Sequence, residues 1–193
     1  AKKNAKIKLF NGESDVIDPY TGNKLVLTKQ EAELLYGKDW TKHLAESDHV
    51  KPLEQIYHDT KDNVWNTTED IRAAANSDDN IRVASRKFNN PKRSRTNMEY
   101  MEDEEYLRNK GVEVTEKGKQ QAIRDGELAE ASINKQLNTA SLKNIATTGH
   151  MAGKAGAQNA GITALTMSSI MNTVAVVKGE KSGEEALADI AKT

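Results

Sequence analysis

The chain has 193 residues, 36% of them hydrophobic and 30% charged, so it can fill one full domain or two small ones while leaving much solvated surface. It has no cysteine, which excludes disulfides, thiolate metal sites and Cys nucleophiles and is compatible with the cytoplasmic location expected for it. The formal net charge of −1 identifies no partner, so charge must be read segment by segment.

The basic start, residues 1–6, is followed by no long apolar run, so no signal peptide is expected. Asp18-Pro19-Tyr20-Thr21-Gly22-Asn23 reads as a tight turn, with Pro and Gly at turn-favouring places. Residues 24–27 follow as a short strand or extended piece. Thr28 is an N-cap with Glu31 as its capping-box partner, and the helix it opens runs to Tyr36, where Gly37 stops it. Residues 44–50 read as extended, and residues 68–75 as a short capped helix. Residues 81–84 alternate apolar and polar and read as a strand. Pro91 then sits early in a helix containing Lys92 and Arg93.

Beyond this point the character changes. Residues 99–110 form a charged helical stretch. Thr115 caps a helix, and residues 119–143 hold one or two helices with an apolar stripe of Ile123, Leu128, Ile133 and Leu137. Residues 145–177 carry one charge, Lys154, and are rich in Gly, Ala, Ser and Thr. A last helix starts at Ser182 or Gly183 and is still open at Thr193; with no initiating Met at the other end, the chain reads as a fragment. The expected fold is therefore α+β and mostly helical. A module over residues 1–110 leads into a helical, Gly/Ala-rich interaction region over 111–193, with a soft boundary near Gly111.

Three short elements carry chemistry together: residues 46–53, with Asp48 and His49; residues 79–83, with Asn80; and residues 88–93, with Asn89, Lys92 and Arg93. Cleaving a phosphodiester needs a base for the attacking water, a cation on the phosphate and positive charge along the backbone. His49 titrates near neutrality and can be the base. Asp48 can ligate a hard divalent cation through oxygen, and Asn89 can offer a neutral oxygen. Adjacent strand residues face opposite ways, so Asp48 and His49 must sit where the strand twists or ends. Between Asn80 and Met98 lie Arg82, Arg86, Lys87, Lys92, Arg93 and Arg95 and no acid, a local footprint for phosphate that the acidic residues 99–105 conceal in the total charge.

The order and spacing of these residues resemble the HNH nucleases, whose core is a ββα-metal finger: an Asp-His pair ending one strand, a middle Asn, and a third His or Asn opening a helix. Asp48-His49 with Pro52-Leu53 matches the first element, Asn80 the middle one and Asn89 the third, while Lys92 matches a basic residue common in that helix. The likeness is closest to the HNH domain of the RNA-guided CRISPR effector nucleases, which share a Tyr-Thr-Gly-like turn (Tyr20-Thr21-Gly22) and an Arg-Thr-x-x-Glu-Tyr-like segment (Arg95-Thr96-Asn97-Met98-Glu99-Tyr100). It covers roughly residues 15–100; the rest of such an effector is absent. The resemblance implies a metal-dependent endonuclease acting on DNA, with RNA left open, in a toxin or phage-defence setting. His49 would be the general base, and Asp48 and Asn89 would bind one Mg²⁺ or Mn²⁺. Asn80 would hold the finger loop and orient His49, and Arg86, Lys92 and Arg93 would contact phosphate. Three departures stand out. The gap between His49 and Asn80 is long and must hold an insertion, the helix near Ile71. The Cys pairs of many relatives are missing, although Asp18 and Gly22 occupy a comparable turn. Asn90 could replace Asn89 if the helix starts one residue later.

His43 and His58 read as surface or packing residues, although His58 could lean over the site; Trp40 and Trp65 read as half-buried aromatics. Two rival functions come from other classes. One is an inactive finger that binds DNA without cutting it. The other is a membrane-active or interaction protein working through the Gly-rich helices, where Gly149 and Gly153 would permit close helix approach. Residues 159–177 are uncharged and long enough to span a bilayer, but their Asn, Ser and Thr favour a helical hairpin packing within the protein or against a partner chain, with a small-residue face suited to self-association or docking.

Overall fold

A computed structural model of the chain describes residues 2–13 and 15–155, together with 172, 175, 185 and 189. The chain is α+β and mostly helical, and its two compact units are residues 1–62 with 71–135, and residues 63–70 with 136–193.

The first unit opens with helix α1 (Lys2–Leu9), which lies against both strands of the sheet. The turn at 18–23 closes as its sequence requires: the Gly22 N–H donates to Asp18 O at 2.9 Å, the Asp18 N–H donates to Asn23 O at 2.8 Å, and Gly22 takes φ 76°. Residues 24–27 make only isolated bridges, Lys24 with Ile17 and Val26 with Leu44. The Thr28 hydroxyl accepts the Glu31 N–H and starts α2 (Lys29–Tyr36), which Gly37 ends at φ 52°. Strand β1 (Ala45–His49) pairs antiparallel with β2 (Ile81–Ser85), with Asp48 opposite Arg82 and His49 opposite Ile81. The insertion between them holds two helices, α3 (Leu53–Thr60) and α4 (Thr68–Ala75), where one was expected.

Helix α5 (Arg86–Lys92) follows β2 without a loop, because the Ser85 side chain accepts the Phe88 N–H and caps it. This corrects the expectation for Pro91, which lies in the last turn of the helix, and for Arg93, which lies just past its end. The charged stretch breaks into α6 (Asn97–Glu102) and α7 (Glu104–Lys110), since Thr96 and Glu99 form a full capping box for the first and Asp103 caps the second. Gly111 ends α7 in the left-handed region. One helix, α8 (Glu116–Ala155), fills the span where one or two were expected. Its buried positions include Gly118, Ala122, Asp125, Ala129, Ile133, Leu137 and Ser141. Leu128, expected on the apolar stripe, is 57% exposed, because the buried face runs through Asp125 and Ala129.

The main core of this unit joins Tyr20, Ala84, Phe88, Tyr100, Met101, Leu107, Val112 and Ala122. Phe88 sits 4.5 Å from the Tyr20 ring and 5.3 Å edge-on to Tyr100, and the Tyr100 hydroxyl donates to Phe88 O at 3.0 Å. Burying a side chain of this size stabilises by about 2–3 kcal/mol, which fixes α5 against the turn at 18–23 and against α6. Asp18, 1% exposed, completes the joint. Its carboxylate accepts the N–H groups of Tyr20 at 2.9 Å and Thr21 at 3.3 Å on one oxygen, and that of Ser85 at 2.8 Å on the other. One carboxylate thus ties the turn to the β2–α5 junction in a chain without cysteine.

In the second unit, polar side chains hold residues 63–70 to α8. Asn144 Nδ2 donates to Trp65 O at 2.8 Å and to Asp70 Oδ2 at 2.9 Å, and the Ser141 hydroxyl donates to Asn66 Oδ1 at 2.8 Å. Gly149 and Gly153 lie in α8. The rest of the expected Gly-rich helix pair, including residues 159–177 apart from 172 and 175, and the start of the last helix fall outside the described residues. Among the described residues no helix is long and apolar enough to cross a membrane.

Candidate functional site

The end of β1 is held from both sides by buried polar groups. Lys92, 2% exposed, donates from Nζ to His49 O at 2.8 Å, to Val50 O at 3.0 Å and to Asp48 Oδ2 at 3.4 Å. Asn80 is fully buried. Its Oδ1 accepts the Lys51 N–H at 2.7 Å, its Nδ2 donates to Lys51 O at 3.2 Å and Ala75 O at 2.9 Å, and its own carbonyl accepts the Val50 N–H at 2.8 Å. Lys51 is buried next to it and pairs with Asp59 at 2.6 Å and Glu130 at 3.0 Å. Burial works against the Lys51 charge, but these two carboxylates outweigh it and raise its pKa. The backbone from 49 to 51 therefore has little freedom, and Asp48 and His49 project from a fixed frame.

Because β1 ends at His49, the Asp48 and His49 side chains reach a common space although they are neighbours in sequence. Both line an open cleft with Lys2, Pro52, Leu53, Glu54, Arg93 and Ser94, and both border a second, small space with Asn89 and Lys92. Glu46, two residues before Asp48 on the same strand face, accepts from Asn89 Nδ2 at 3.4 Å. Asn89 Oδ1 has no donor among the described residues. Asn90 is exposed and borders neither space, so Asn89 is the member of the pair that borders the same space as Asp48. Asp48 carries two ammonium groups: Lys2 Nζ lies 3.1 Å from Oδ1, and Lys92 lies on Oδ2.

His49 is 7% exposed, and its Nε2 lies 3.3 Å from Asn76 Oδ1. Asn76 Nδ2 is committed to Arg72 O at 2.9 Å, so its Oδ1 faces the ring, and Nε2 carries the hydrogen. This tautomer leaves Nδ1 with the basic lone pair. Burial, and next the Lys2 ammonium, lower the His49 pKa, and Asn76 and Asp48 only partly oppose this, which favours the neutral ring. Asn76 is the orienting residue that the sequence reading missed. Asn80, expected to hold the finger loop, to orient His49 and to join the catalytic set, is sealed from solvent and spends its side chain on the backbone of Lys51 and Ala75, with no bond to His49.

The basic run is less available than its sequence suggests. Arg82 pairs with Asp125 at 3.1 Å, Arg86 pairs with Glu46, and Lys92 is consumed by the frame. Lys92 is therefore corrected from a phosphate contact to a buried fastener, and burial lowers its pKa against the pull of Asp48. Arg86 could reach a phosphate only by leaving Glu46. Arg95 stacks over Tyr106 at 4.0 Å. Arg93 is exposed on the rim of the cleft without an acidic partner, at φ 52°, the one non-Gly residue with positive φ among the described residues. His58 is exposed and does not border the cleft, while His43 stacks on Tyr36 at 3.5 Å and bonds Lys24 O at 2.7 Å, a packing role.

Among the described residues no three His, Asp or Glu side chains gather as a ready metal cage. The oxygen donors Asp48 and Asn89, with a cation already drawn to Asp48, suit a hard divalent ion more than a zinc-type site. Comparisons of the chain with protein-family models, curated proteins and solved structures found no match.

Proposed function

We propose that this chain is a metal-dependent endonuclease of the HNH type that hydrolyses DNA phosphodiester bonds. The observation that carries the reading is the meeting of Asp48 and His49, at the end of β1, with Asn89 of α5 around one space, in the strand–strand–helix order that the sequence resemblance implies. In this reading neutral His49 takes the proton of the attacking water at Nδ1, while Asn76 holds the opposite edge of the ring. Asp48 and Asn89 would hold Mg²⁺ or Mn²⁺, which supplies charge neutralisation at the phosphate and at the leaving 3′ oxygen. Arg93, exposed at the rim of the cleft, would meet the phosphate in this reading, and Lys92 with Asn80 would keep Asp48 and His49 in register.

One observation favours a second reading, a finger that binds nucleic acid without cutting it: both Asp48 oxygens are engaged by lysines. Plasmid cleavage with Mg²⁺, Mn²⁺ or EDTA, alongside His49→Ala, separates the two. The expected result is metal-dependent cutting that the variant lacks, with salt-dependent DNA binding retained. Cleavage that survives in His49→Ala refutes the assignment of the base, and binding without cleavage under either metal selects the second reading.

A further inference from the structure

The two ammonium groups on Asp48 are not equivalent. Lys92 is buried and holds two backbone carbonyls, so it cannot leave without releasing the frame. Lys2 has a side chain 43% exposed and sits at the start of α1, a helix of 8 residues with no buried residue. Such a short helix is marginal by itself, and lysines in its first turn oppose the helix dipole. Polar contacts hold it along β1: the Ser47 hydroxyl donates to Lys2 O at 2.8 Å, and Lys6 Nζ donates to Ala45 O at 3.2 Å. Its last turn adds an exposed pair, Lys8 with Asp78 at 3.3 Å, and Ala5 packs against the core residues Val16, Leu25, Ala45 and Val83.

From this geometry we infer that Lys2 is a replaceable cation, which occupies Asp48 Oδ1 and which a divalent ion must displace to bind. The inference rests on the metal-site reading above and adds to it a residue of α1 that sets metal affinity. A fixed cation on one oxygen and an exchangeable one on the other keep the carboxylate compensated in both states. Metal binding then lifts Lys2 off Asp48 and frees its ammonium in the cleft it shares with His49 and Arg93.

The test is Mn²⁺ titration of the full 193-residue chain by calorimetry at fixed ionic strength, with variants Lys2→Gln, Lys2→Arg, Lys3→Gln and Asp48→Asn. A partly exposed ion pair of this kind corresponds to about a two- to fivefold change in affinity. Lys2→Gln is expected to bind Mn²⁺ more tightly by that factor. Lys2→Arg keeps the cation and should stay near the parent, as should Lys3→Gln, which removes the same charge from an exposed neighbour. Equal affinity in Lys2→Gln and the parent overturns the inference and leaves the metal site standing. An equal gain in Lys3→Gln also overturns it, because net charge would then explain the effect. Mn²⁺ binding that is absent, or that survives in Asp48→Asn, removes the metal site itself and the inference with it.

Discussion

At the scale of single residues, Lys92 and Arg93 are neighbours in sequence with opposite situations. Lys92 spends its ammonium on two buried carbonyls and Asp48, so Lys92→Met leaves His49 O and Val50 O without their donor. Loss of a buried partner of this kind costs about 2–4 kcal/mol. Arg93 holds φ 52° and ψ −125° with no Cβ-free residue to accept that conformation. Strain there costs about 1–3 kcal/mol, against about 0.5–1 kcal/mol of extra chain entropy for glycine, so Arg93→Gly should stabilise by about 1 kcal/mol. Urea unfolding of the two variants measures both signs. A Lys92→Met variant within about 0.5 kcal/mol of the parent would mean that the ammonium is not needed by the frame and is free for a substrate. Arg93→Gly should at the same time weaken DNA binding, since the strained backbone holds an unpaired cation at the cleft.

At the scale of elements, α8 contains two glycines that the same substitution should move in opposite directions. A Cβ on Gly118 would stand 1.8 Å from Tyr20 O, a backbone atom of the turn that Asp18 holds. One on Gly126 would stand 3.5 Å from Asn97 Cβ, an ordinary contact. Gly118→Ala is expected to destabilise by about 3 kcal/mol or more, and Gly126→Ala to stabilise by up to about 1 kcal/mol through helix propensity. Thermal unfolding of both variants checks the pair, and a neutral Gly118→Ala would mean that α8 does not approach the turn this closely. The contrast also shows what sequence can and cannot convey. Local signals were legible: Thr28 and Gly37 bound α2, Asp18 to Gly22 make the turn, Thr115 starts α8, and alternation marks β2. Their chemistry acts within a few residues of itself. The close approach at Gly118, the orienting role of Asn76 and the burial of Lys92 depend on partners 98, 27 and 43 positions away, and residue type alone does not distinguish a buried lysine from a solvated one. Helix α1 was missed because residues 2–9 have no apolar periodicity; its contacts with β1 and β2 hold it. The meeting of Asp48, His49 and Asn89 was foreseeable only through the spacing that the family likeness supplied.

At the scale of the whole molecule, the groups of the first unit that titrate on the acid side share a direction. His49 has its pKa lowered chiefly by burial, so below its ordinary value of 6.5 the unfolded chain takes up the proton more readily than the folded one, and stability falls as pH drops. Glu99 is held below its ordinary 4.5 by the Thr96 backbone N–H and hydroxyl, and Glu104 by Lys119. Their contributions are present above that value and are lost as pH falls through the depressed folded pKa. On the alkaline side, Lys51 is raised above 10.5: burial opposes its charge, and the carboxylates of Asp59 and Glu130 outweigh that. Its contribution is complete below the ordinary value and disappears as pH rises through the folded one. The first unit should therefore show a first decline in stability as pH falls below about 6.5 and a second below about 4.5. Trp40 lies in this unit and Trp65 in the other, so Trp40 fluorescence during urea unfolding of a Trp65→Phe chain follows the first unit alone. Replacing His49 with Gln removes the titrating ring, and the first decline should vanish while the second persists. A decline near pH 6.5 that persists in His49→Gln would place the proton uptake on another group and would remove the support that burial gives to a neutral His49.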